Sequence, residues 1–179
     1  MAQQLKWHPV ADCLVLSSDR LVVQSNNNSR GEVHVSEPLH RTGEFEFKIE
    51  KRKRHNIIFR DGNFGIGLQR RQCKLPPPLY ATSGRCVWQT GAIYNALKNS
   101  SSTVGYYSAR DLDLLVPGDR VGVMITIEGD LEFFVNGKSQ GIAAERVYKV
   151  DCHSNLYPLI KLPAGYIVKI TAGGEHFMI

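Results

Sequence analysis

Long apolar runs, catalytic signatures and paired cysteines are all missing from these 179 residues. No stretch approaches the roughly 20 consecutive apolar residues that span a bilayer, so membrane insertion is not expected. The first thirty residues show no charged start followed by an apolar run, and a secretory signal is not expected either. The cysteines Cys13, Cys73, Cys86 and Cys152 are far apart and include no C-x-x-C pair. Free thiols in a reducing compartment follow, and with them a cytoplasmic location. There is no G-x-S-x-G, no H-E-x-x-H and no Walker-type glycine loop. No catalytic residue is therefore nominated, no cofactor is expected, and the chain is read as a non-enzyme.

Metal ligands are equally unconvincing. His8, His34, His40, His55, His153 and His176 include no pair at helical ligand spacing. A structural zinc site needs about four well-placed ligands, and nothing selects Cys13, Cys152, His153 and His8 as such a set; no metal is expected. Helix is scarce too. Residues 90–97 allow a turn or two, and 110–115 allow another, ended by Pro117. No internal repeat or low-complexity tail is present, and residues 1–179 are read as one domain.

What the sequence does have is alternation. Phe45, Phe47 and Ile49 face one way while Glu44, Glu46, Lys48 and Glu50 face the other. Val121, Val123, Ile125 and Ile127 share a face, as do Leu131, Phe133 and Val135; Phe64, Ile66 and Leu68; and Tyr166, Val168 and Ile170. A period of two marks strands with one face buried and one wet, and two such sheets must stack their apolar faces. Asn136-Gly137 tolerates positive φ at both central positions of a tight hairpin turn, so residues 119–142 read as a three-stranded meander. The glycines around Phe64-Gly65-Ile66-Gly67 have no helix after them to suggest phosphate binding; they read as a strand that needs close packing.

The order of these motifs resembles the SPRY domain family. The carriers are Gly43-Glu44-Phe45-Glu46-Phe47-Lys48-Ile49, then Phe64-Gly65-Ile66-Gly67-Leu68, Gly118-Asp119-Arg120-Val121-Gly122-Val123, Leu131-Glu132-Phe133-Phe134-Val135-Asn136-Gly137, Leu156-Tyr157-Pro158-Leu159-Ile160 and Val168-Lys169-Ile170. They cover about residues 33–171. Residues 36–49 and the block from Gly118 to Gly137 also resemble the neuralized homology repeat. The resemblance implies an all-β fold, a bent antiparallel β-sandwich of concanavalin-type jelly-roll form, and a binding module for a protein or peptide ligand. It also implies a substrate-recognition or adaptor role in a ubiquitin ligase or a signalling scaffold, although no RING-like or SOCS-box-like segment is found here.

Candidate partner-binding residues come from two places. Tyr80, Trp88, Tyr94, Tyr106 and Tyr107 lie in a stretch read as long loops, and such aromatics bury a large area while keeping a polar handle. Trp88 suits core or site equally. Arg85 would add a charged contact at the same rim. The loops around 24–32, 51–63, 70–90, 94–107 and 137–155 would be held ready by the sandwich.

The second place is the basic run at residues 51–55, with Arg52 and Arg54 as bidentate donors to carboxylate or phosphate. It reads as an acidic-partner site, a nuclear-localisation signal or a solvated hairpin tip. The net charge of +5 is concentrated here, since residues 48–71 hold eight cations against two acids. The excess is a local patch without interleaved aromatics, so nucleic acid is not expected, and a small-molecule ligand is not expected. The alternative reading is a lectin-like carbohydrate-binding sandwich. Calcium for such a lectin would have only the close acidic pair Asp111 and Asp113 to draw on.

Overall fold

Alternation along the sequence becomes two stacked sheets. The computed structural model describes residues 5–8, 14–26, 31–39, 42–52, 64–71, 85–89, 91–95, 103–108, 111–147 and 155–173. Its strands are β1 (Trp7–His8), β2 (Leu14–Leu16), β3 (Val22–Ser25), β4 (Gly31–Val35), β5 (Glu44–Lys51), β6 (Gly65–Arg71), β7 (Arg85–Gln89), β8 (Ala92–Asn95), β9 (Thr103–Tyr106), β10 (Arg120–Ile125), β11 (Leu131–Val135), β12 (Lys138–Ala144), β13 (Asn155–Leu162) and β14 (Ile167–Gly173). Sheet one runs β1-β4-β13-β6-β7-β8-β9, and sheet two runs β12-β11-β10-β5-β14-β3-β2. Neighbours pair antiparallel throughout. This is the all-β sandwich that the alternation requires.

Between the sheets lie the residues that the period-2 pattern selects. Phe45, Phe47 and Ile49 of β5, Val121, Val123 and Ile125 of β10, and Leu131 and Phe133 of β11 meet Ile66, Leu68, Cys86 and Trp88 from the opposing sheet, all at zero exposure. Rings form a chain through this layer: Trp7 to Phe45, Phe45 to Phe47, Phe47 to Phe64 and Phe64 to Tyr166, with centroids 5.5, 5.9, 5.8 and 5.6 Å apart. Those separations suit tilted and edge-to-face aromatic contacts.

Asn136 and Gly137 both take positive φ, 52° and 75°, and join β11 to β12 as the meander requires. The Asn136 side chain completes the turn. Its Oδ1 accepts from the Arg120 amide at 2.8 Å and its Nδ2 donates to Asp119 at 2.9 Å.

Several expectations change. Residues 92–95 are strand, not helix. Gly91 at φ +77° lets the chain reverse between β7 and β8, pairing Gln89 with Ala92. Its carbonyl then accepts the amides of Tyr107 and Ser108. Residues 85–89 and 103–106 are likewise strands rather than loops, and the meander's last strand runs to Ala144, past its expected end at 142. Ile127 leaves the core face. Thr126 closes a turn by pairing with Asp130, which ends the strand at Ile125 and leaves Ile127 67% exposed. The short helical expectation at 110–115 appears as a single 3-10 turn, Leu112–Leu114, capped by the Asp111 side chain.

Candidate partner-binding site

Sheet one carries a second buried layer on its outward face. Val87 and Leu159 are 4% and 0% exposed, yet they point away from the inter-sheet core. Around them stand polar groups that the alternation puts on the same side: Glu32 and His34 of β4, Gln69 of β6, Arg85 of β7 and Lys161 of β13. Register fixes their neighbours, with Lys161 opposite Glu32, Leu159 opposite His34, and Gln69 opposite Arg85.

Arg85 organises the cluster. Its Nη1 donates to Glu32 Oε2 at 3.0 Å, and its Nη2 donates to Glu32 Oε1 at 2.7 Å and to Gln69 Oε1 at 3.1 Å. Arginine's planar fork suits this two-point grip on a carboxylate. His34 Nε2 lies 2.9 Å from the same Glu32 Oε1. In the strand order β4 and β7 are separated by β13 and β6, so the bridge crosses two strands. Gly65 and Gly67 of β6 put no side chain in its way. A Cβ on Gly67 would overlap the Cys86 carbonyl oxygen and come within 2.9 Å of Val87 Cα. The glycines therefore serve close packing, as their sequence context implies.

The electrostatics follow from this crowding. Burial pushes the Glu32 carboxyl up, but the His34 hydrogen bond and the Arg85 charge outweigh it and hold the group below its ordinary value. Burial pushes the Lys161 ammonium down; nearby Glu32 pulls it up, Arg85 pushes it down, and the net is downward. Arg85 Nε is buried with no hydrogen-bond partner among the described residues. On the inner face, burial raises the Cys86 thiol to about 12, so no reactive thiolate is present at this position.

The residues singled out from sequence divide into several groups. Tyr94, on β8 opposite Val87 and Val104, is 40% exposed and shares the outward face of sheet one. Arg85 lies in the sheet at 8% exposure instead of at a loop rim, because its guanidinium is held by Glu32 and Gln69. Trp88, at 0% exposure, points inward and packs on Tyr107 and Phe133. Tyr107 stands at the edge of that cluster. Its hydroxyl donates to the Gly141 carbonyl at 2.6 Å and accepts from the Phe133 amide at 3.4 Å. Tyr106 ends β9 opposite Ala92. Arg52 follows β5, and its Nη1 donates to the Leu115 carbonyl at 2.8 Å, tying the start of the basic run to the 3-10 segment. Tyr80 and Arg54 lie outside the described residues.

Sequence reasoning missed Glu32, His34, Gln69 and Lys161. A signal was present: Glu32 and His34 occupy alternate positions on one strand whose other side chains are apolar. The Asp111 and Asp113 pair serves the backbone, Asp111 capping the 3-10 turn and Asp113 accepting the Phe64 amide at 2.8 Å. Among the described residues no group of three His, Cys, Asp or Glu is placed to hold a metal, and no helix is long and apolar enough to cross a membrane.

Comparison with known proteins places this geometry. Residues 43–175 match the SPRY domain family. The NHR domain of Neuralized from Drosophila melanogaster is similar at 12% identity and a TM-score of 0.66, over 96% of this chain and 93% of that one. A human SPRY domain is similar at 17% identity and a TM-score of 0.58, over 94% and 96%. The carbohydrate recognition domain of Emp47p is similar at 14% identity and a TM-score of 0.52, over 92% and 85%. At these identities the likeness to the three structures is one of fold.

Proposed function

This chain belongs to the SPRY domain family, and from that premise we propose that it binds a peptide segment or protein surface on the outward face of sheet one, beside Tyr94. The carrying observation is the juxtaposition on that face. A tyrosine 40% exposed stands near a buried ionic lattice that ties three strands, β4, β6 and β7, together. Tyrosine gives contact area at low entropic cost, and a rigid base keeps the binding penalty small. Arg85 and Trp88 then act from beneath, by holding β7 and β8. The ligand makes its contacts with Tyr94 and its surroundings.

Within the same proposal, the domain serves as the recognition part of a larger assembly, a ubiquitin ligase or a signalling scaffold. The lectin-like alternative is supported by fold likeness to a carbohydrate recognition domain. The protein-ligand reading is preferred because it agrees with family membership.

The test is affinity capture from lysate with the wild-type chain beside Tyr94→Ala, both checked by thermal melt. The proposal expects captured proteins that the variant loses while its melting temperature is unchanged. An identical captured set from a folded variant would refute this placement.

A further inference from the structure

The outward face of sheet two carries a row in which acids and apolar side chains alternate. Antiparallel register puts Glu44 of β5 opposite Met124 of β10, Met124 opposite Glu132 of β11, and Glu132 opposite Ile142 of β12. These four strands are consecutive neighbours in the sheet, so the row crosses them without a gap. Each step from strand to strand is about 4.8 Å. Ile142 is 52% exposed, while Glu44, Met124 and Glu132 are half-buried. The turn after β10 adds Ile127, 67% exposed, and the exposed Glu128. Single exposed apolar residues are ordinary; here they stand among acids that nothing neutralises.

Those acids lack counter-charges in their own chain. Among the described residues Glu44, Glu128, Asp130, Glu132 and Glu145 join no ion pair. Glu132 accepts the Ser139 hydroxyl at 3.1 Å, and Asp130 accepts the Arg146 amide at 2.6 Å; both donors are neutral. Arg146 is the described cation beside them, and it too joins no ion pair among the described residues. Glu46, two residues along β5, differs, since Arg120 and Thr171 both donate to it. Burial, and after it the Glu46 charge, raise the Glu44 carboxyl to about 7, with no cation named against them. Glu44 is thus a costly group for the folded chain alone.

The spacing of the row selects the shape of what would cover it. Residues on one side of an extended peptide recur about every 6.8 Å, and after three steps they are out of register by about 6 Å, more than one strand. Residues recurring once per helical turn are about 5.4 Å apart and drift by only about 2 Å over the same row. We infer that the row docks a basic amphipathic helix of a partner protein, laid across β5, β10, β11 and β12. One face of that helix carries lysine or arginine in alternate turns, over Glu44 and Glu132. Aliphatic residues in the turns between cover Met124 and Ile142. Amphipathic helices are commonly recognised through anchors at such turn-by-turn positions. The chain as a whole carries +5, which repels a cationic helix elsewhere and confines its attraction to this corner. The inference concerns the sheet opposite the proposed partner site and does not depend on that site.

The probe is a fluorescein-labelled, alanine-based helical peptide with lysine and leucine alternating turn by turn along one face. Its control has the same composition with those residues scattered around the helix. Fluorescence anisotropy is read against the full chain at about 50 and 500 mM salt. Expected is saturable binding of the probe that weakens at high salt, with the control bound at least about tenfold more weakly. Glu132→Lys should weaken probe binding at least about tenfold, and Ile142→Ser about fivefold. Both side chains are at least partly exposed, and circular dichroism melts confirm that the variants fold; Glu128→Lys, in the exposed turn, serves as the second charge reversal. Absence of saturable binding, folded variants that bind like the wild type, or a control bound as tightly as the probe would overturn the inference. So would sedimentation velocity showing that the free chain dimerises and that Glu132→Lys abolishes the dimer, since the row would then belong to a second copy.

Discussion

Replacing Arg85 with alanine should be among the most damaging polar substitutions in this protein, and the reason lies with Glu32. The two side chains are 10% and 12% exposed. Three hydrogen bonds end on the guanidinium, at 3.0, 2.7 and 3.1 Å. Removing it leaves a carboxylate in low dielectric with His34 as its remaining described side-chain hydrogen-bond partner. Breaking one side of a buried pair costs about 3–5 kcal/mol, out of a total stability of about 5–15 kcal/mol for a domain. Urea unfolding at neutral pH should therefore show a large fall in midpoint for Arg85→Ala. The double variant Arg85→Met with Glu32→Leu, which removes both charges and keeps volume, should recover most of the loss, because a desolvated pair is close to neutral against apolar replacements.

The pH dependence gives an independent check on the same reasoning. Glu32 is held below its ordinary value in the folded protein. Its contribution to stability is present above the unfolded carboxylate value and disappears as pH falls through the lower folded value. Without Arg85 the carboxylate loses its main cation, so the penalty of the variant is an ionised-state penalty. The gap between wild type and Arg85→Ala should be widest near neutral pH and shrink in acid, below the ordinary carboxylate range. A loss under about 1 kcal/mol at neutral pH, the range of exposed pairs, would refute the account, as would a gap independent of pH. Arg85 would then be free to act as a ligand contact at the surface.

Other outcomes follow from single contacts. Gly67→Ala should destabilise by about 2–3 kcal/mol or more, read by thermal melt, since its Cβ would overlap backbone of the adjacent strand that has no room to shift. Tyr107→Phe should cost about 1 kcal/mol in urea unfolding, because its hydroxyl bridges Gly141 and Phe133. Glu44→Gln should stabilise the folded protein at pH 8 by up to about 1 kcal/mol, discounted for its partial exposure, and have little effect near pH 4.5. The sign follows from a folded value raised to about 7. Protonation favours the folded state, and the penalty develops as pH rises towards 7. Parallel urea titrations at the two pH values, at dilute concentration, check it.

The sandwich could be read from sequence because its information is local. Phe45 and Phe47 have their partners' spacing written beside them in the alternation of β5, and Asn136-Gly137 specifies its own turn. The hairpin at Gly91 was hidden because its signal was one glycine among residues that also tolerate helix. Ile127 was misplaced because alternation continues past the residue where Thr126 and Asp130 close the turn.

The sites were harder to read for a different physical reason. Glu32 and Arg85 are 53 positions apart, and they meet only after β13 and β6 have been laid between their strands. Lys48 opposes Lys169 only once β14 pairs with β5. A strand's own sequence states which face a charge occupies, but its counter-charge belongs to a neighbour chosen by topology. Once β7 pairs with β6, Arg85 lies on the face that two glycines of β6 leave clear. There it reaches the carboxylate of Glu32, which sequence places at the end of the loop 24–32. On sheet two the alternation gave each charge an unexceptional outward position, and register then collected them by sign.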